Sequence, residues 1–284
     1  MSIFSVLLLS LFTSLFFQKT LLASPKNDTK TASVETQQSS FQANLSVKIP
    51  KTHNKLFSNT LPSQTKKHPS IHQNWVKQAK ILPFTDLYID GQLHINVDKR
   101  QSEATIKIQG NPKITRHVQV HVGARKDTLS LSLLLPNLPA EHYPIITIPN
   151  QSLRRLYHRG TGQVNIDPIV GPLKLVNTGS GLLQIESINS NTVQLIGAGS
   201  SQTRLAGLIG HLDAYLEETA GLDTRRSYIQ RSFIRTRNRA QVVTGVNTDL
   251  LGAQAKHHSV IRYEYDPPAT GLFTYQNGYI LRET

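Results

Sequence analysis

No cysteine occurs in the 284 residues, and there is one methionine and one tryptophan. Without thiols, disulfide frameworks, thiolate zinc sites, iron–sulfur clusters and cysteine nucleophiles are all excluded. Charge is sparse as well: Asp, Glu, Lys and Arg make up 17% of the chain and hydrophobic residues 38%. That balance suits a β protein rich in Ser, Thr, Asn and Gln better than a helical bundle. After residue 80 no stretch carries a sustained 3.6-residue apolar period, so no amphipathic helix is expected there.

Long hydrophobic runs are missing too, with one exception. The first 23 residues, MSIFSVLLLSLFTSLFFQKTLLA, hold an apolar run from Ile3 to Phe17 that is short for a membrane span. With Ala23 at the cleavage position, they read as a secretory signal peptide. If it were retained, the same run would be an N-terminal anchor. No cysteine follows, which excludes a lipid-anchored lipoprotein. The sequence thus places the mature chain outside the cytoplasm, in the periplasm or on the outer cell surface, and gives it membrane contact only if that segment stays.

Positive charge is plentiful but uneven. The formal net charge is +13. Between Ser24 and Lys80, nine lysines stand against Asp28 and Glu35 alone, a net of +7. This stretch is polar, dotted with Pro25, Pro50, Pro62 and Pro69, and has neither helical nor strand periodicity. It reads as a basic flexible linker, 24–80, with Trp75 the first residue to dock on a fold.

From residue 81 to the end, the sequence reads as one domain. Alternation at period two marks strands at 87–97, 104–110, 117–123, 128–135 and 145–149, expected to be antiparallel or meandering. From Ser152 to about Pro268 a repeat of 18–21 residues takes over. Two of its units are LKLVNTGSGLLQIESINSN and TVQLIGAGSSQTRLAGLIGH. Each reads as strand, small-residue corner, strand, turn, which is too short to hold a helix. Such a unit buries its apolar face only by stacking on its neighbours, so the class is an all-β solenoid with an N-terminal set of alternating strands. The Gly-Ser knots are its corners, where the chain bends and Cβ atoms of adjacent coils would collide.

These residues resemble the DUF2807 family, the auto-transporter adhesin head GIN domain. The opening strand is Phe84, Leu87, Ile89 and Gly91. The edge step is Asp127-Thr128-Leu129-Ser130-Leu131, and the Ile-Pro step is Ile146, Ile148, Pro149, Leu153 and Leu156. The stacked corners are Gly160-Thr161-Gly162, Gly179-Ser180-Gly181 and Gly197-Ala198-Gly199. The resemblance covers about 82–265 and implies a right-handed β-helix in a bacterial exported protein, with no catalytic residues to carry over. It weakens late: the fourth unit has Thr219-Ala220-Gly221 and the fifth Asn238-Arg239-Ala240, with no glycine.

Chemistry is hard to find. No G-x-S-x-G occurs, and Gly197-Ala198-Gly199 lacks both the third glycine and the following helix of a nucleotide loop. His117 and His121 fall about 13 Å apart on one strand face, too far to share an ion, and His257 and His258 fall on opposite strand faces. No metal and no cofactor is therefore expected. Glu186, Asp213, Glu217, Glu218 and Asp223 do not pair at a glycosidase separation. What stands out is a basic strip, TRRSYIQRSFIRTRNR, with Arg225, Arg226, Arg231, Arg235, Arg237 and Arg239 interleaved by Tyr228 and Phe233. Guanidinium forks suit the phosphates or carboxylates of a surface polymer, although arginines also keep a solenoid edge from aggregating. Tyr263, Tyr265, Phe273, Tyr275 and Tyr279 in the tail are expected to cap the open end. The sequence supports a non-catalytic, adhesin-like envelope protein that binds an anionic cell-surface polymer or glycan, or another envelope protein. Nucleic acid does not suit an exported chain despite a pI near 10.0. The alternatives are an envelope polysaccharide-modifying enzyme and a periplasmic scaffold on the same β-helix.

Overall fold

The computed structural model describes residues 75–98, 104–123, 127–150 and 152–283. The expected signal peptide and the linker as far as residue 74 lie outside the described residues. The last six residues assigned to the linker form a strand instead: β1 (Trp75–Lys80) pairs antiparallel with β4 (Thr105–Gly110), Trp75 opposite Gly110.

The repeat folds as a β-solenoid of about seven turns. On one face, β8 (Arg155–Gly160), β11 (Leu173–Gly179), β12 (Leu182–Gly199), β13 (Gln202–Leu216), β14 (Gly221–Thr236), β16 (Val246–Lys256) and β18 (Ala269–Tyr275) pair parallel, in order. On a second face run β9 (Gln163–Asp167), the starts of β12, β13 and β14, then β15 (Gln241–Thr244), β17 (Val260–Tyr263) and β19 (Tyr279–Arg282). The long strands bend round a corner into a short third face, where β10 (Ile169–Val170) pairs parallel with β12, with register breaks between Ile185 and Ile188 and between Arg204 and Ala206. Register makes columns. Leu156, Leu175, Leu195, Ala214, Ile234 and Ala253 stack inward on the first face, each 3% exposed or less. Val164, Leu183, Thr203, Leu222, Val242 and Ile261 do so on the second. Each such Leu or Ile contributes roughly 1.5–3 kcal/mol of burial.

The N-terminal alternating strands divide between two roles. β2 (Asp86–Gly91) and β3 (His94–Asp98) are a true rung, parallel to β8 and β9. β6 (Thr128–Leu133) and β7 (Ile145–Pro149) form a further rung on the other side of β2 and β3. The first rung in the chain is thus the second in the stack. The antiparallel strands are β1, β4 and β5 (Gln119–Val122), which extend the two faces beyond β7 and β6. They close that end, and Leu129, Leu131, Ile146 and Ile148 of the terminal rung are at most 1% exposed. Between β4 and β5 the expected strand at 117–123 starts later, because Asn111 caps a one-turn helix, α1 (Pro112–Thr115), its Oδ1 accepting from the Lys113 N–H at 2.9 Å. Pro112 suits the first helical position, where no N–H is needed.

The corners answer for the glycines. Gly160 would bring a Cβ to 2.2 Å from the Gly91 carbonyl oxygen, and Gly162 one to 1.7 Å from that of Leu93. Further along, the corner changes type. Glu218 (φ 62), Asn238 (φ 63), His257 (φ 53) and Gln276 (φ 48) take the left-handed conformation at the positions equivalent to Gly199. The drift away from glycine in the later units is therefore a change of turn.

Candidate functional site

The six arginines of the basic strip lie on one rung, but they wind round it. Arg225 and Arg226 sit where β14 leaves the second face, and Arg231 at the break between the third face and the first. Arg235 and Arg237 follow on the first face, and beyond Asn238 the chain turns, carrying Arg239 round the corner. All six are exposed. Four are tied to carboxylates. Arg235 reaches Asp213 at 2.9 Å and Arg237 reaches Glu217 at 3.3 Å, both acids on the rung before. Arg226 meets Glu186 at 3.0 Å and Arg225 grips Asp223 at 2.6 Å. Burial pushes the Asp223 carboxyl up, but the hydrogen bonds and charge of Arg225, with help from the charge of Arg204, hold it below the usual range. Exposed pairs of this kind are worth roughly 0–1 kcal/mol each.

Among the described residues, Arg231 and Arg239 have no ion-pair partner. Along the strand, Arg231 is flanked by two exposed aromatics, Tyr228 at 62% and Phe233 at 44%. His211 stands beside Arg231 on the preceding rung, its ring 5.5 Å from that of Phe233. Leu208, 57% exposed, stacks in the column of Tyr228. Gly252 makes room for the Phe233 ring, since a Cβ there would fall 2.8 Å from Cδ1. An unpaired guanidinium on a strand that also exposes aromatic rings can form bidentate bonds to an anion while the rings lie against an apolar or sugar surface.

The same arrangement answers for the carboxylates weighed as catalysts. Glu186, Asp213, Glu217 and Asp223 each face an arginine, and Glu218 sits in a turn. Among the described residues no group of three or more His, Asp or Glu could hold a metal ion, and no helix is long and apolar enough to cross a membrane. His117 follows α1 in a turn, where Arg116 donates to it, and His121 lies exposed on β5. His257 and His258 are not on a strand; both have positive φ in the turn from Lys256 to Ser259.

Two features escaped the sequence reading. A shallow groove of about 610 Å³ runs along the glycine corners, bordered by Leu134 and Leu135 and by the ion pair of Asp90 with Arg159. Inside the coil, His158 is 1% exposed, its Nδ1 3.0 Å from Asn177 Oδ1 and its Nε2 without a partner. Burial pushes this imidazole below its ordinary range, against a smaller upward pull from Asn177. The signal for the inserted rung was a constant offset: Asp86 with Arg155, Tyr88 with Tyr157, Asp90 with Arg159 and Asn96 with Asn165 are each separated by 69 residues.

No curated protein matches the chain. Its fold is shared with a "putative adhesin" from Bacteroides fragilis, TM-score 0.67 and 17% identical over 75% of this chain and 98% of that one. A second "putative adhesin", from Parabacteroides merdae, gives 0.55 and 16% over 75% and 97%. A "putative lipid binding protein" from Parabacteroides distasonis gives 0.55 and 10% over 75% and 98%. At such identities the likeness is one of fold. The family described as "Putative auto-transporter adhesin, head GIN domain" matches residues 83–267, close to the span expected from the corner motifs. The chain is adhesin-like and belongs to the DUF2807 family.

Proposed function

We propose that this is an exported, non-catalytic binding protein of the bacterial envelope, which holds an anionic surface polymer or glycan at the arginine-aromatic corner of β14. The carrying observation is Arg231, unpaired and exposed on the strand that also exposes Tyr228 and Phe233, while four other arginines of the strip are neutralised by carboxylates. Arg225, Arg226, Arg235 and Arg237 brace the rung through their carboxylate partners, and Arg239 offers a second free guanidinium round the corner. The N-terminal apolar segment and the adhesin family favour a periplasmic or outer-surface location. Engagement of the candidate acids by arginines speaks for binding without chemistry.

Binding of the protein to immobilised polygalacturonate and dextran sulfate, with neutral dextran as reference, tests the reading across a salt series. Binding only to the anionic polymers is expected, weakening as salt rises. Replacing Arg231 and Tyr228 by alanine should cost about tenfold or more in affinity, the scale of one charge-assisted hydrogen bond. Equal binding to neutral dextran, or an unaffected double variant, would overturn it. Protease shaving of intact cells then separates the outer surface from the periplasm.

A further inference from the structure

The two ends of the stack are finished differently. At the N-terminal end, β1, β4, β5 and α1 cover the terminal rung. At the other end, β18 pairs only with β16 and β19 only with β17, so among the described residues their outer edges meet no strand. The core is open there. Leu272 continues an inward column whose other members are at most 3% exposed, yet it is 39% exposed itself.

This edge carries none of the usual protection. Exposed edge strands are normally blunted by charge, proline or a bulge. From Ala269 to Leu281, ATGLFTYQNGYIL, there is no charged residue and no proline. Phe273, Tyr275 and Tyr279 are 57%, 50% and 45% exposed, and are not the cap that the sequence reading made of them. They belong to the last rung among the described residues, and it lies beyond the family match, which stops at residue 267. Of the charges near the edge, Arg282 pairs with Asp266 at 2.8 Å and Arg262 with Glu283 at 3.5 Å, while the Lys256 ammonium on the preceding rung lies over the Tyr275 ring, 5.1 Å from its centre.

From this we infer that the β18–β19 rung is the interface of a homodimer, two copies meeting end to end about a twofold axis with their last rungs antiparallel. Charge selects the occupant. Copies with a net charge of +13 repel one another, and a face that holds no net charge is where they can approach. A charged partner would find nothing on it to pair with, whereas a second copy offers the same neutral, aromatic, hydrogen-bond-hungry edge. The outer edges at the other end, those of β1 and β5, belong to antiparallel strands and stay out of a contact that pairs the last rung with itself, so association closes at two and does not grow into a filament.

Because the chain has no cysteine, single introduced cysteines report cleanly. Full-length protein carrying Phe273→Cys should form one crosslinked species of twice the monomer mass with a short thiol-reactive linker in expressing cells. Val170→Cys, 71% exposed on the third face, should form several-fold less. Sedimentation of the wild-type protein should show a monomer–dimer equilibrium. Leu272→Lys with Thr274→Lys should abolish it, with circular dichroism unchanged because both positions are open in the single copy. Amide exchange at 269–282 should be slower in the wild type than in that variant. A monomeric wild type, species larger than a dimer, equal crosslinking at both cysteines, or a dimer that survives the two lysines would each overturn the inference.

Discussion

The corner of the coil is built twice in this molecule, by two different devices. In the early rungs it is bonded sideways: the N–H groups of both Ser180 and Gly181 reach back to the Gly160 carbonyl on the preceding rung. Glycine is required because each rung presses its backbone against the next, and Gly179 at φ 133 lies where only glycine is comfortable. In the later rungs the corner also closes on itself. The Ala220 N–H bonds Glu217, Ala240 bonds Arg237, Ser259 bonds Lys256 and Gly278 bonds Tyr275, each a tight turn of four residues. At 257–258 and 276–277 both central residues have positive φ, as in a type I′ turn. Both corners span the same number of residues, so the rungs stay in register while the sequence rule changes. The same stack can therefore be held by close backbone contact, which demands glycine, or by local turns, which free the corner to carry side chains such as Arg239.

The largest expected effect breaks that comparison at equivalent positions. Gly162→Ala forces a methyl into the Leu93 carbonyl and should cost about 3 kcal/mol or more in urea unfolding. Ala220→Gly, at the matching place in a self-closed corner, should cost about 1 kcal/mol or less. Equal losses would mean that the two corners do not differ mechanically. Next come two ion pairs. Asp86 is only 4% exposed and is gripped by Arg155, so Arg155→Ala strands a buried carboxylate and should cost about 2 kcal/mol. Arg237→Ala, which loses a pair exposed on both sides, should stay below about 1 kcal/mol. The smallest effect concerns pH. The folded state holds His158 below its ordinary value of about 6.5, so the unfolded chain binds the extra proton. Stability is fully present above that value and falls as pH drops below it, by no more than about 1.4 kcal/mol per pH unit. His158→Gln should flatten the profile there. The acid loss due to Asp223, whose folded value is depressed, should remain at lower pH, in the carboxylate range.

Most of the coil was legible because its causes are local. Alternation set the inward and outward faces, and the 18–21-residue period set the rung. The glycine knots marked corners wherever backbone contact made them necessary. The places that stayed hidden are those where the cause is distant or conformational. His257 and His258 read as strand because positive φ leaves no mark in two histidines. The order of the first rungs depends on pairing across 69 residues, visible only if acidic and basic positions are compared at that offset. The arginine strip was legible as a sequence, but its neutralisation was not. Asp213 and Glu217 look unremarkable until the stack sets them against Arg235 and Arg237 on the following rung.

The insertion of β2 and β3 between β6–β7 and β8–β9 also bears on how the chain assembles. A strand that emerges early meets its first neighbour only when β6 and β7 are made, and its second only when β8 and β9 are complete at Asp167, so the nucleus is long-range and its closure entropically costly. Once it stands, every later rung docks on one roughly 20 residues behind it, a short step that repeats. Assembly should therefore begin slowly at the N-terminal end and then zip in a single direction. A lesion before Asp167 would prevent folding from starting, while one near β18 would only shorten the result.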